Sequence, residues 1–292
     1  MSALSLTIGD ISLPLRFDDE FVCGAVEEKW HGFLSPPGEG WAVEVSSSPS
    51  LEILGDPLAP LRVRKEGRVL RFDSPFFRGE WRGPGEGGSV VVTSDRRFID
   101  CSLENSLRFL FSVAALPRGD VLIHAAAVLH RGLEAALLFF GDSGTGKTSV
   151  SALASSLGHL CMGDDLVMVG RKGGRPVVYS TPFRGELNDD EAGPRTVPLA
   201  GLFALRPSGS NDVVPLEGAE AVSSVVSSVP FMEGRGREAY GRLMETVGEI
   251  CRSVPVGLLR FRLDEGFMKE VENFLEQQRG NQGQSSSCSK DH

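Results

Sequence analysis

The junction at residues 135–157 constrains this chain more than any other stretch. There an apolar run, a glycine-rich loop and a helix-forming segment follow one another without a gap. The loop, residues 141–148, reads GDSGTGKT. It supplies every fixed position of the phosphate-cradle pattern G-x-x-x-x-G-K-[ST], at Gly141, Gly146, Lys147 and Thr148. Glycines let a backbone wrap closely around phosphates with several N–H groups pointing inward. The preceding run, Ala135-Ala136-Leu137-Leu138-Phe139-Phe140, is short, apolar and bounded by turn residues, as a buried strand should be. The following run, Thr148 to Leu157, has no Gly or Pro and is rich in Ala, Ser and Leu. A helix is expected to begin there, with its positive dipole end facing the loop. The chain has 35 glycines but six lysines, so its own residue frequencies give about one chance match per hundred such chains. Gly141, Asp142, Ser143, Gly144, Thr145, Gly146, Lys147, Thr148 and Ser149 therefore form the expected nucleotide-binding set. In such a loop Lys147 reaches the β- and γ-phosphates and the Thr148 hydroxyl binds Mg²⁺.

The bulk numbers narrow the field. A chain of 292 residues can hold one large domain or two ordinary ones. A net charge of −9 argues against a nucleic-acid partner, which calls for a basic patch. No apolar run approaches the roughly 18 residues of a membrane span, and MSALSLTIGD does not read as a secretory signal. Five cysteines scattered without C-x-x-C spacing suggest reduced thiols, hence a cytoplasmic protein.

Residues 1–100 read as a β-rich N-terminal domain. Runs at Leu4–Ile8, Trp41–Val45, Leu61–Arg64, Val69–Phe72 and Val90–Thr93 are separated by turn clusters such as SPPGEG and RGPGEGGS. Residues 101–120 read as a helical connector, with Leu103, Leu107, Leu110 and Phe111 at helical spacing and Pro117 at its end. Residues 121–278 carry the phosphate loop within an α/β pattern, closed by an amphipathic helix at 267–278. The polar tail, 279–292, is expected to be disordered.

Phosphoryl transfer needs a metal and a group that orients or deprotonates the nucleophile. Asp164 and Asp165 lie one helix and one short connection downstream of Lys147. Adjacent aspartates point different ways, so one can hold Mg²⁺ while the other faces the acceptor. The bland alternative is that Gly163-Asp164-Asp165 is a hairpin turn. His124, inside an apolar strand, is a candidate donor to a phosphate oxygen. Arg184, in STPFRGE, is a candidate for neutralising developing charge. Glu186 is a weaker candidate, His31 reads as structural, and His130 and His159 read as solvated residues flanking turns.

This arrangement resembles the catalytic domain of HPr kinase/phosphorylase. The likeness runs over about residues 121–230 and is strongest in GDSGTGKT and in Gly158-His159 through Asp164-Asp165. It implies a P-loop kinase domain that shares its core with ATP-dependent phosphoenolpyruvate carboxykinases, with a smaller β-rich region before it. It further implies ATP and Mg²⁺ as cofactors and a serine of a protein or peptide as phosphoacceptor. Lys147 and Thr148 would then hold the phosphates and metal. Asp164 would be the base, Asp165 would assist the metal, and His124 would approach the phosphate. This sequence departs from the family's Glu-x-Arg-Gly loop: Arg184 and Gly185 are kept, but Pro182 stands where the acid should be. Two other readings stay open, a kinase for a small-molecule hydroxyl and a nucleotide-binding regulatory module with no transfer activity. A homo-oligomer is allowed, not required. A protein or peptide acceptor needs an open groove, so the Asp164 carboxylate is expected to be accessible to solvent.

Overall fold

The computed structural model describes residues 2–38, 40–49, 51, 60–183, 185 and 193–287, the last six by their backbone alone. The N-terminal half is built on β1 (Ser2–Ile8), β2 (Ile11–Phe17), β3 (Leu34–Ser35), β4 (Val43–Ser48), β5 (Arg62–Glu66), β6 (Val69–Asp73), β7 (Phe77–Gly83) and β8 (Gly87–Thr93). They form one sheet in the order β3-β1-β2-β4-β8-β7-β6-β5. Strand β4 runs parallel to β2 and β8, and the other neighbours are antiparallel. A helix, α1 (Glu20–Trp30), interrupts the strands of this half. Asp19 caps α1 by accepting the Phe21 N–H at 2.9 Å. Val22, Val26 and Trp30, four residues apart, form its buried stripe.

Helix α2 (Ile99–Ala115) begins two residues before the expected connector. It is no mere link. Leu103, Leu107, Phe109, Leu110 and Phe111 are buried in a core shared with the first sheet and with Leu122, Leu166, Met168, Tyr179 and Phe183 of the second half. The two halves therefore pack as one body around α2.

The second half contains β9 (Val121–His130), β10 (Ala135–Phe140), α3 (Lys147–Ser156), β11 (Leu160–Gly163), β12 (Leu166–Lys172), β13 (Arg175–Tyr179), β14 (Thr196–Pro207), β15 (Asp212–Pro215), α4 (Gly218–Val226), α5 (Arg237–Ser253), β16 (Val256–Phe261) and α6 (Gly266–Ser287). The sheet order is β10-β9-β12-β13-β14-β16-β15, and β10 also pairs with β14, so five strands close a circuit. The long strands β9 and β14 make this possible by changing partners along their length.

Strand β10 is buried along its whole length because both faces are covered. Ala136, Leu138 and Phe140 face the core under α4 and α5. Leu137 and Phe139 face Val150 and Ala154 of α3 and Phe267, Val271 and Phe274 of α6. Strands β10, β14 and β16 are mutually parallel, so their carboxyl ends share one edge. Helix α6 runs on to Ser287, past the expected onset of the tail at 279, and the rest of that tail, 288–292, lies outside the described residues. Residues 279–287 contain no proline, and extending a helix already nucleated needs one hydrogen bond per residue fixed. No helix among the described residues is long and apolar enough to cross a membrane.

Candidate active site

The glycine-rich loop leaves the carboxyl end of β10 and feeds straight into α3, where an α/β sheet ordinarily binds its ligands. Gly144 and Gly146 have φ of +80° and +104°, and Gly141 sits at +153°. These values favour glycine and turn successive amides to one side of the loop. A methyl group on Gly146 would stand 2.7 Å from the Phe261 ring, so the end of β16 seats the loop from below. The loop is pinned internally where the Thr145 hydroxyl donates to the Asp142 carbonyl at 2.8 Å. Helix α3 starts at Gly146 with no side-chain cap and no acid in its first turn. Its amino-terminal N–H groups and positive dipole end face the loop.

Lys147 is 8% exposed and folds back on the loop. Its Nζ donates to the Gly141 carbonyl at 2.8 Å and to the Asp142 carbonyl at 3.0 Å. Burial pushes the ammonium below its ordinary pKa, and the negative charges of Asp165 and Asp142 oppose that shift.

Strand register brings the remaining groups to the same place. Phe140, the last residue of β10, lies opposite Ala125 of β9, which puts His124 beside the first loop glycine. On the other edge of β9 the chain Leu160–Val169 pairs antiparallel on both sides of a break. The one-residue bulge falls at Met162, between Cys161 and Gly163, and the register then holds from Gly163 opposite Ala127 to Leu166 opposite His124, so Asp164-Asp165 is a break within one strand pairing, not a hairpin turn. The Ala125 N–H donates to the Asp165 carbonyl at 3.0 Å and keeps the two sides of the break in register. As expected for adjacent residues, the two carboxylates point apart. Asp165 meets His124 Nε2 at 3.3 Å and an Arg108 nitrogen at 2.6 Å. Burial lowers the His124 pKa below the ordinary histidine value. Lys147 and Arg108 lower it further and Asp165 raises it, so the ring is neutral at pH 7.

Asp164 turns inward. It is 5% exposed, and its Oδ1 accepts the Gly185 N–H at 2.7 Å. This corrects the expectation of an accessible carboxylate. The reason is the segment after β13: Thr181, Pro182 and Phe183 are buried, the Thr181 hydroxyl donates to the Leu166 carbonyl, and Gly185 closes over Asp164. Arg184 and Glu186 lie outside the described residues.

Arg108 is the site residue that sequence reasoning missed. It comes from α2, pairs with Glu104 one turn earlier, and lies over the Phe183 ring at 5.8 Å. The histidines also need correction. His130 is buried, with Nε2 2.9 Å from Glu272 of α6, and its ring stacks on His159 at 4.2 Å between centroids. They were expected to be solvated, but α6 covers the end of the β9–β10 hairpin that carries His130.

The residues fit a nucleotide triphosphate. The loop offers N–H donors, a buried ammonium and the helix terminus in one place. They also fit a magnesium ion. Among the described residues no group of three or more His, Cys, Asp and Glu could hold a metal by itself. Mg²⁺ rarely uses such a cage; it takes one or two protein oxygens together with phosphates and water. Here Thr148 and Asp165 would supply those oxygens.

No family model matches the chain, and no curated protein does either. Among solved structures the chain is similar to the Hpr(Ser) kinase/phosphatase from Coxiella burnetii, with 12% sequence identity and a TM-score of 0.37. The match covers 59% of this chain and 99% of that one. A score of that size carries no functional argument, so the chemistry rests on the residues of the site.

Proposed function

We propose that this chain is an ATP- and Mg²⁺-dependent phosphotransferase of the HPr-kinase type, acting on a hydroxyl, in the first place a serine of a protein or peptide. One observation carries the reading: strand register puts His124 of β9 beside Gly141 of the loop, Lys147 folds onto the Gly141 carbonyl, and Asp165 lies 3.3 Å from His124, so a cation, an imidazole and a carboxylate share the carboxyl edge of β10. A glycine-rich turn of purely structural use would need none of these partners.

In this reading the amides of residues 141–147 and the Lys147 ammonium hold the phosphates. Lys147 exchanges its two loop carbonyls for phosphate oxygens, which are stronger, charged acceptors. His124, neutral at pH 7, donates a hydrogen bond to a phosphate oxygen without adding charge. Thr148 and Asp165 supply the metal's protein oxygens. Mg²⁺ held there would supply positive charge against the charge developing on the transferred group. Asp164 takes the acceptor's proton once Gly185 moves aside, and Arg184 is assigned the role of neutralising the developing charge. The altered position at Pro182 and the burial of Asp164 favour a second reading, a nucleotide-binding module that does not transfer phosphate.

The test is acceptor-independent. The protein is incubated with γ-labelled Mg-ATP alone and then with lysate of its own host. Slow release of labelled phosphate, or a labelled serine on a lysate protein, supports the kinase. Tight Mg-ATP binding with neither signal assigns the silent module instead.

A further inference from the structure

Four alternating charges run from the N-terminal half into the site and end on a neutral imidazole. Lys29 of α1 pairs with Glu104 of α2 at 2.6 Å, Glu104 pairs with Arg108, Arg108 pairs with Asp165 at 2.6 Å, and Asp165 meets His124 at 3.3 Å. Both oxygens of Asp165 are thereby engaged, Oδ1 by the imidazole and Oδ2 by the guanidinium.

A divalent cation that uses Asp165 needs one of those oxygens. A guanidinium on the same carboxylate repels it through a partly buried, weakly screened path. Arg108 and the metal therefore exclude each other from Asp165. Arg108 also has somewhere to go. Glu104, one turn back on the same helix, already holds it, so release from Asp165 does not strand a buried charge. Lys29 shares Glu104, and Phe183 under the guanidinium limits its travel.

The geometry points to Arg108 as a positioning residue: it is an internal cation paired with Asp165 that must retreat to Glu104 for a metal to load on that carboxylate. This rests on the nucleotide-and-metal reading of the site. It gives the N-terminal half a role in that site, as a competitor that keeps Asp165 closed until metal and phosphates arrive together.

The two ends of the Arg108 contact make opposite predictions, which a scaffold role does not. Arg108→Gln removes the competitor, so the metal should bind more tightly. Glu104→Gln leaves Arg108 with Asp165 as its remaining carboxylate in this chain of charges, so the metal should bind more weakly. The probe is Mn²⁺, followed by electron paramagnetic resonance on the full chain with a non-hydrolysable ATP analogue. A shift of roughly tenfold in each direction is expected, typical of coupling between adjacent sites. Arg108→Lys, a smaller cation that keeps the charge, should lie near the parent. If Arg108→Gln does not fold, Glu104→Gln and Arg108→Lys still decide the sign.

Unchanged or weaker Mn²⁺ binding in Arg108→Gln, or unchanged or tighter binding in Glu104→Gln, overturns the competition. The nucleotide reading survives that result if the parent still binds the analogue through Lys147. A parent that binds neither analogue nor Mn²⁺ contradicts the reading itself and takes this inference with it.

Discussion

Gly185 donates its N–H to Asp164 Oδ1 at 2.7 Å, and a methyl group on Gly185 would stand 2.7 Å from Oδ2 of the same carboxylate. A buried carboxylate and the chain above it therefore meet with no room for a side chain between them. Gly185→Ala should push the two apart and weaken that hydrogen bond. The expected loss is about 1–3 kcal/mol of stability, read as a lower denaturation midpoint, with impaired phosphate transfer. Gly193→Ala, where a methyl group meets nothing within 4 Å, should cost well under that.

The two aspartates should fail differently. Asp164→Asn removes the proposed base and should lower transfer by roughly 10²–10⁴-fold with ATP affinity nearly unchanged. Asp165→Asn loosens the metal, so raising Mg²⁺ should restore part of its activity. The check is a Mg²⁺ titration of initial rates for the parent and both variants. Equal Mg²⁺ dependence in all three would contradict the division of labour.

Proximity of the loop to β9 can be tested without any ligand. Lys147 and Arg108 both hold the His124 pKa down, and Asp165 raises it. Lys147→Ala should therefore raise the His124 pKa, and Asp165→Asn should lower it further. Ring-proton shifts followed by NMR against pH give the sign directly. A His124 that titrates identically in all three proteins would separate it from the loop.

Asp120, just before β9, predicts a pH effect on stability. Burial raises its carboxyl from 3.8 to about 6, with Asp10 adding to the shift and Arg118 opposing it. The Gly170 backbone lies so close that a methyl group there would overlap the carboxylate. Between pH 4 and pH 6 the folded state thus holds a proton that the unfolded state has lost. This group's contribution to stability falls as pH rises through that window. Asp120→Asn should remove the penalty, stabilising the protein at pH 7 by up to about 2–3 kcal/mol, and should change stability little at pH 3. Thermal melts of both proteins across that range measure it.

What could be read from the sequence follows a physical line. The strand, loop and helix around residue 141 were legible because each is a local pattern: an apolar run, glycines at fixed offsets, and a helix-forming segment. Asp164 and Asp165 were legible as a pair. Their surroundings were not, because their place at a break in the pairing with β9 depends on a contact that local periodicity does not encode. Helix α1 carried a signal that went unread, a capping Asp19 ahead of Val22, Val26 and Trp30. Arg108 was hardest, one among 30 basic residues and on a helix outside the loop-bearing half. Its one signal was a Glu104–Arg108 pair at helical spacing next to the buried Leu103, Leu107 and Phe111.

The central claim is that GDSGTGKT is a working phosphate cradle with Lys147 as its cation. Isothermal calorimetry of Mg-ATP binding to the parent and to Lys147→Ala tests it most directly. The variant should fold, since among the described residues the Lys147 head bonds to two carbonyls of its own loop, and its affinity should fall by about 10- to 100-fold, the loss of hydrogen bonds to a charged group. Equal affinity in the two proteins, or no Mg-ATP binding by the parent, would contradict the account.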